Sequence, residues 1–186
     1  MTTDRALYNI YISNDKAIKF DRTWLAIIVG FGVFLLQFLP FEFDETTSKV
    51  FAICVFVFYI GLLATRWTYK PLYGELKGEI EFDIDGIFVD GYKFNLDEIT
   101  NIEVNILDYY GEYVGGGRYS LSRIFSQGVK NQLSFNTLTN EFYCFNFRLE
   151  NKNDYKRIEP FLDKYFNEKK MSFHSKYNAE RTEIFS

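Results

Sequence analysis

Four carboxylates recur at every second position, Glu79, Glu81, Asp83 and Asp85. That spacing puts them on one face of a β-strand, because strand side chains alternate between sides. Two carboxylates can serve as acid and base on a glycosidic bond, but only where burial separates their pKa values. A run of charges on one strand face reads instead as a solvated surface, or as a docking surface for a basic partner.

The other residue types able to do chemistry are sparser. His174 is the sole histidine and sits in a polar tail, with no orienting partner and no co-ligand near it in sequence. Cys54 falls in an apolar run and Cys144 in a strand-like segment, so they read as two separate, small, buried thiols rather than as a disulfide or metal pair. Gly115-Gly116-Gly117 is followed by neither a Lys-Ser or Lys-Thr pair nor a helical stripe. A phosphate-cradling loop needs both, so the glycines read as a flexible insert or bulge. We therefore expect no catalytic residue, no cofactor and no metal site, and an enzyme is the least expected class.

Charge is distributed unevenly. Residues 70–112 hold eleven acidic and three basic side chains, whereas residues 113–186 hold twelve basic and eight acidic. An anionic surface would thus meet the second half of the chain. From Tyr113 to Asn140 there is no acidic residue, and Arg118, Arg123 and Lys130 are present. These three are the candidate contacts for lipid or a partner, each basic group near an anionic bilayer contributing about 1 kcal/mol. The net charge of −4 gives no reason to expect a nucleic-acid partner. No small-molecule substrate is expected either.

Two apolar runs dominate the first seventy residues. Trp24 to Leu39 reads WLAIIVGFGVFLLQFL and Val50 to Thr65 reads VFAICVFVFYIGLLAT. With their aromatic flanks, each reaches the roughly 18–20 residues that cross a bilayer. Neither run shows the polar face of a helix in a soluble core. The short connection Glu42–Lys49 implies an antiparallel hairpin. Lys16, Lys19 and Arg22 precede the first run, Arg66, Lys70 and Lys77 follow the second, and Lys49 alone lies between. Basic flanks stay cytoplasmic. The expectation is a multi-pass protein of the inner, cytoplasmic membrane with both termini cytoplasmic. Trp24, Trp67 and Tyr69 then serve as membrane-interface anchors. Gly30, Gly32, Gly61 and Ala64 are small enough for close helix approach. Gln37 reads as a hydrogen-bonding group near the outer interface. No ionisable residue lies inside either run, which argues against a transport pathway.

After Pro71 the pattern alternates. Ile80, Phe82 and Ile84 interleave with acidic residues, and Asp85-Gly86 and Asp90-Gly91 mark hairpin turns. Strands are expected at Ile87–Val89, Tyr92–Leu96, Ile102–Leu107, Val129–Leu138 and Glu141–Leu149, with a loop over Asp108–Gly128. Val129, Leu133, Phe135, Phe142, Phe145, Phe147 and Leu149 are the core candidates. Ile158, Phe161, Leu162, Tyr165 and Phe166 form the stripe of a final amphipathic helix, with Asn153 as its N-cap and Pro160 as a bend or late start. The segment ALYNIYIS at residues 6–13 has strand-forming residues and reads either as an added edge strand or as a recognition strand for another chain.

Two segments, DIDGIFVDGYKFNLDEITNIEV and GVKNQLSFNTLTNEFYCFNFRLENKNDYKRIEPFLDKYF, resemble a pleckstrin-homology-like domain from about Gly74 to Lys169. Together with the apolar hairpin, the chain is similar to small bacterial membrane proteins of the YcxB-like type. The resemblance implies a membrane α-hairpin plus a mostly β, α+β soluble domain: a partly open antiparallel barrel capped by a C-terminal helix. The divisions expected are a cytoplasmic N-terminal segment at 1–22, a two-helix transmembrane hairpin at 23–69, the barrel at 70–170 and a flexible tail at 171–186. The lipid-binding basic cluster of such domains lies between the first two strands, where this chain is acidic, so inositol-phosphate recognition is not expected. The expected role is a non-enzymatic membrane-anchored interaction or scaffold module that binds the bilayer and a protein partner or itself. The alternatives are an anionic-lipid surface sensor and an accessory or immunity-type subunit of a larger membrane assembly.

Overall fold

The structure is a computed structural model that describes residues 5–14, 22–36, 44–114 and 123–172. The chain divides into two compact units, one of residues 1–17, 71–112 and 126–186, the other of residues 18–70 and 113–125.

The first unit is built on an open seven-stranded antiparallel sheet. Its strands are β1 (Ala6–Ser13), β2 (Gly74–Asp83), β3 (Gly86–Val89), β4 (Tyr92–Asn95), β5 (Ile99–Asn105), β8 (Asn131–Thr137) and β9 (Phe142–Phe147). Their order across the sheet is β4-β3-β2-β1-β9-β8-β5. A separate two-stranded ribbon joins β6 (Tyr110–Tyr113) and β7 (Phe125–Gln127), inside the stretch that reads as loop from sequence.

The N-terminal segment is neither an edge strand nor a free recognition strand. β1 pairs with β2 from Ala6–Phe82 to Ser13–Gly74, and with β9 at Ile10–Phe147 and Tyr11–Asn146. It is an interior strand, so the helices between residues 14 and 73 are inserted into the sheet domain rather than preceding it. The division at 1–22 and 70–170 therefore separates strands that are bonded to each other. Burial explains the position: Ala6, Tyr8 and Ile10 are buried on one face, the alternation of a strand packed on a core. Between Asn9 and Tyr11 the register slips against β2. There Gly78 adopts φ +88°, and a Cβ on it would fall 2.2 Å from the Asp90 carboxylate, so only glycine fits this bulge.

The sheet is strongly coiled. Strands stand about 4.8 Å apart, which would separate β4 from β8 by about 24 Å in a flat sheet. Yet the rings of Phe94 on β4 and Phe135 on β8 have centroids 4.9 Å apart, and Phe94 and Tyr143 on β9 lie 5.0 Å apart. The free side of β5 is shielded. Ile102 donates to the Lys170 carbonyl at 2.8 Å and bridges Met171, and the Lys170 ammonium lies 3.1 Å from the Ile99 carbonyl. A covered edge offers no template for unwanted pairing.

The final helix, α3 (Asp154–Asn167), closes the core with the stripe read from sequence: Ile158, Phe161, Leu162 and Tyr165 are buried. Pro160 lies within it without ending it. The buried residues on both sides of Pro160 hold each half against the sheet. Asn153 occupies the N-cap position but does not cap the helix with its side chain. Its backbone is already helical and its side chain makes no capping bond. The Asp154 carboxylate instead accepts from the Glu150 and Asn151 amides at 2.9 and 3.0 Å.

Two tyrosines tie this helix to the sheet. The Tyr8 hydroxyl donates to the Asp154 carbonyl at 2.9 Å, while its ring meets Phe82 and Phe147 at 6.1 and 5.8 Å. Those three rings join β1, β2 and β9. At the other end of α3 the fully buried Tyr165 hydroxyl lies 2.7 Å from the Asp83 carbonyl and 3.0 Å from that of Gly86. Of the core candidates, Leu133, Phe135, Phe147 and Leu149 are buried, whereas Phe142 faces out. Ile84 is exposed as well, because the β2–β3 turn begins there. The acidic run is not one solvated face: Asp83 is buried, and Glu81 bonds Arg5 at 2.9 Å.

The second unit contains α1 (Arg22–Leu36) and α2 (Glu45–Ala64), then a 3-10 turn at Thr65–Trp67. Among the described residues α2 is the one helix long and apolar enough to cross a membrane, and none of its residues is buried. The first predicted span begins in α1 and runs on into residues 37–43, so Gln37 and Pro40 lie outside the described residues. Asp44 caps α2: its carboxylate accepts from the Thr47 amide at 3.4 Å and from the Thr47 hydroxyl. The helices touch where the Tyr59 hydroxyl donates to the Ala26 carbonyl at 3.1 Å. A Cβ at Gly30 would lie 2.8 Å from that hydroxyl, whereas one at Gly32 or Gly61 would meet no atom within 4 Å. Gly30 alone among these glycines makes room at the contact. Cys54 and Cys144 are both exposed rather than buried.

Burial pushes the Tyr8 and Tyr165 phenols well above their ordinary value. A folded-state pKa raised above the unfolded one contributes stability that is present below pH ~10 and lost as pH rises further. The chain should therefore lose stability steeply above pH ~10. Tyr165→Phe should remove part of that pH dependence. It should also lower stability at neutral pH by about 1–3 kcal/mol, through loss of the one buried hydroxyl proton that the Asp83 and Gly86 carbonyls share. Chemical denaturation of the full chain in detergent at neutral and alkaline pH measures both effects.

Candidate functional site

Arg118, the glycine triplet and His174 lie outside the described residues. Arg123 belongs to the helical unit and Lys130 to the sheet unit. Trp24 falls in α1, with its side chain outside the described set. Trp67 and Tyr69 lie just past α2 and are 67% and 38% exposed.

The main chain of Lys130 belongs to a buried polar tie. Its side chain is exposed, but its amide donates to the Asp108 carboxylate at 2.9 Å. The same carboxylate receives the Ser126 hydroxyl. Ser126 in turn accepts from the Gly128 amide at 3.1 Å. Asn131 completes the arrangement: its side-chain oxygen accepts from the Leu107 and Asp108 amides at 2.9 and 3.2 Å, and its NH2 donates to the Gly128 carbonyl at 2.9 Å. Asp108, Ser126 and Asn131 are all almost fully buried. The segments around residues 107 and 128 lack regular strand partners, and buried amides must be paired somehow. These three side chains pair them.

An Asp–Ser contact also resembles part of a hydrolytic site. Here the serine hydroxyl points to a carboxylate that substrate cannot reach, and no histidine stands between them as base. The arrangement fixes a corner of the fold. Nearby, burial pushes the Glu112 carboxyl upward, with a further contribution from the charge of Asp108. Among the described residues no group of His, Cys, Asp or Glu could hold a metal ion.

The basic residue that does meet the helical unit is Arg123. Helix ends leave carbonyls without intrahelical donors, and the chain at 123–125 supplies them at the exit of α2. The Ile124 amide donates to the Arg66 carbonyl at 3.3 Å, and the Arg123 guanidinium donates to the Tyr69 carbonyl at 3.0 Å. The Lys70 amide returns a bond to the Phe125 carbonyl at 2.8 Å. Tyr69 and Phe125 form a parallel bridge, with rings 5.7 Å apart. Ile124 is buried in this clasp. Sequence reading located Arg123 as a surface charge but missed the clasp, because nothing in the spacing links residue 123 to residue 69.

The sheet unit carries its own exposed aromatics. Tyr92 on β4 is 66% exposed and Phe142 on β9 is 67% exposed. Tyr92 stacks edge-on to Phe94 at 4.8 Å, and Phe94 continues into Phe135 and Tyr143. Large aromatics held rigidly at a surface are the residues that protein interfaces favour.

Asp108→Asn should destabilise the chain by about 1–3 kcal/mol, because an amide cannot accept from both Ser126 and the Lys130 amide. The midpoint of urea unfolding measures this. The chain matches no protein-family model, and neither a curated protein nor a solved structure is significantly similar to it.

Proposed function

We propose that this chain is a non-enzymatic, membrane-anchored interaction module that presents a pleckstrin-homology-like sheet domain at the cytoplasmic face of the inner membrane. The observation that carries the reading is the pairing of β1 with β2 across the inserted helices. The Asn14 amide donates to the Tyr73 carbonyl at 2.7 Å, and Ser13 is opposite Gly74. Both ends of the insertion therefore lie on one side of any membrane it enters. A helix such as α2, apolar all round and unburied, is what a bilayer covers. One crossing would strand β2 on the far side from β1, so residues 15–72 must cross an even number of times. On this reading α1 and the residues after it supply the return span. Arg22, Arg66 and Lys70 flank the pair and keep the sheet unit cytoplasmic.

The strand order supports the domain type. Two antiparallel meanders, β2–β4 and β5/β8/β9, are joined through β1 and capped by a C-terminal helix. Such an order is compatible with the partly open barrel that the resemblance of residues 74–169 implies. The exposed aromatics Tyr92, which packs on Phe94, and Phe142 make the domain suited to binding a protein partner or a second copy.

Thr46→Cys, in a chain lacking Cys54 and Cys144, should label from outside intact cells, while cysteines at Asn14 and Lys77 should label only after lysis. A photo-crosslinker at Tyr92 should give discrete protein adducts in native membranes. Labelling at Asn14 from outside would invert the orientation. Adducts at Tyr92 no stronger than at the exposed Lys77 would remove the interaction role.

A further inference from the structure

The clasp at the exit of α2 brings together residues that sequence keeps fifty positions apart. Residues 66–70 contribute Arg66, Trp67, Tyr69 and Lys70, and the 123–125 segment contributes Arg123. Three backbone or guanidinium hydrogen bonds and a ring contact hold the two segments together. No acidic residue lies between Thr65 and Gly74, or between Tyr113 and Asn140. Trp67 is 67% exposed and Tyr113, at the start of the second segment, is 58% exposed. Tryptophan and tyrosine favour the depth of lipid headgroups, where an amphipathic ring has both apolar and wet neighbours. Arginine and lysine at that depth pair with phosphate.

We propose that Arg66–Lys70 and the clasped segment at 123–125 form one interfacial site for anionic phospholipid headgroups, set at the mouth of the membrane helix. The site lies wholly within the helical unit. It thus replaces the expected patch of Arg118, Arg123 and Lys130, whose last member sits in the sheet unit. Charge complementarity selects the occupant: the segments carry only positive side chains, and they continue directly from a helix whose apolar surface is uncovered. The clasp gives the site a purpose beyond anchoring, since lipid bound there holds residues 123–125 against the bilayer. This inference rests on the reading of α2 as a membrane span.

The test uses the full chain reconstituted in vesicles, with Trp24→Phe leaving Trp67 as the single tryptophan. Brominated phosphatidylglycerol should quench Trp67 more strongly than brominated phosphatidylcholine at equal mole fraction. Added salt should weaken that preference, and Arg66→Gln/Lys70→Gln/Arg123→Gln should abolish it. Arg66→Gln/Lys70→Gln, which keeps Arg123 to donate to Tyr69, should reduce it, with thermal unfolding recorded beside the quenching. Equal quenching by both lipids, or a preference unchanged in the triple variant, overturns the site. Alkaline extraction of the same vesicles separates the two claims. A chain that stays in the membrane but shows equal quenching loses the site and keeps the span, whereas a chain released to the supernatant loses both.

Discussion

The fold depends on one strand that the rest of the sheet cannot replace. β1 supplies the hydrogen-bonding partner for both β2 and β9, so the two meanders meet only through it. Without β1, β2 and β9 would each present a bare edge, and the rings of Phe82 and Phe147 would lose Tyr8 between them. Bare edges with apolar faces promote aggregation, and each large side chain returned to water costs about 1.5–3 kcal/mol. Because β1 precedes the helices and β2 follows them, the helical segment is an insertion between two adjacent, paired strands. The helices are threaded between adjacent strands of a domain that must close on one side.

Polar groups fix what apolar packing leaves free. Tyr8 and Tyr165 bind the two ends of α3 to the sheet through main-chain carbonyls, and Asp108 with Asn131 gathers the amides of an irregular corner. At the end of α2, Arg123 and Ile124 meet carbonyls that no helix can satisfy. Each tie occurs where regular pairing stops. Buried, fully bonded polar groups are costly to disrupt and so select one arrangement among apolar alternatives.

Most of the secondary structure was legible because it is periodic. The alternation of Ile80 and Phe82, the turn at Asp90-Gly91, and the stripe of Ile158, Phe161, Leu162 and Tyr165 follow from local pattern and occur where expected, while the turn expected at Asp85-Gly86 falls one residue earlier, at Ile84-Asp85. The position of β1 was not legible. An alternating segment is equally suited to an edge or an interior, and its two neighbours lie more than sixty residues away on one side and more than a hundred and thirty on the other. The ribbon of β6 and β7 escaped notice because its strands are three and four residues long and are separated by glycine-rich sequence. Arg123 and Lys130 read as one basic patch because sequence distance is short, yet Lys130 turns its amide to Asp108 while Arg123 turns its side chain to Tyr69. Cys54 and Cys144 were expected inside because cysteine usually is, and α2 and β9 present both outward.

The interior position of β1 is most directly measured by hydrogen exchange of the full chain in nanodiscs. The amides of Tyr8 and Ile10 should be protected as strongly as those of Ile80 and Phe82, since all four lie in paired interior strands and should open only with the whole sheet. Fast exchange at Tyr8 and Ile10 beside slow exchange at Ile80 and Phe82 would contradict the account. The N-terminal segment would then be a detachable arm, and the constraint that brings the two ends of the helical insertion together would be gone.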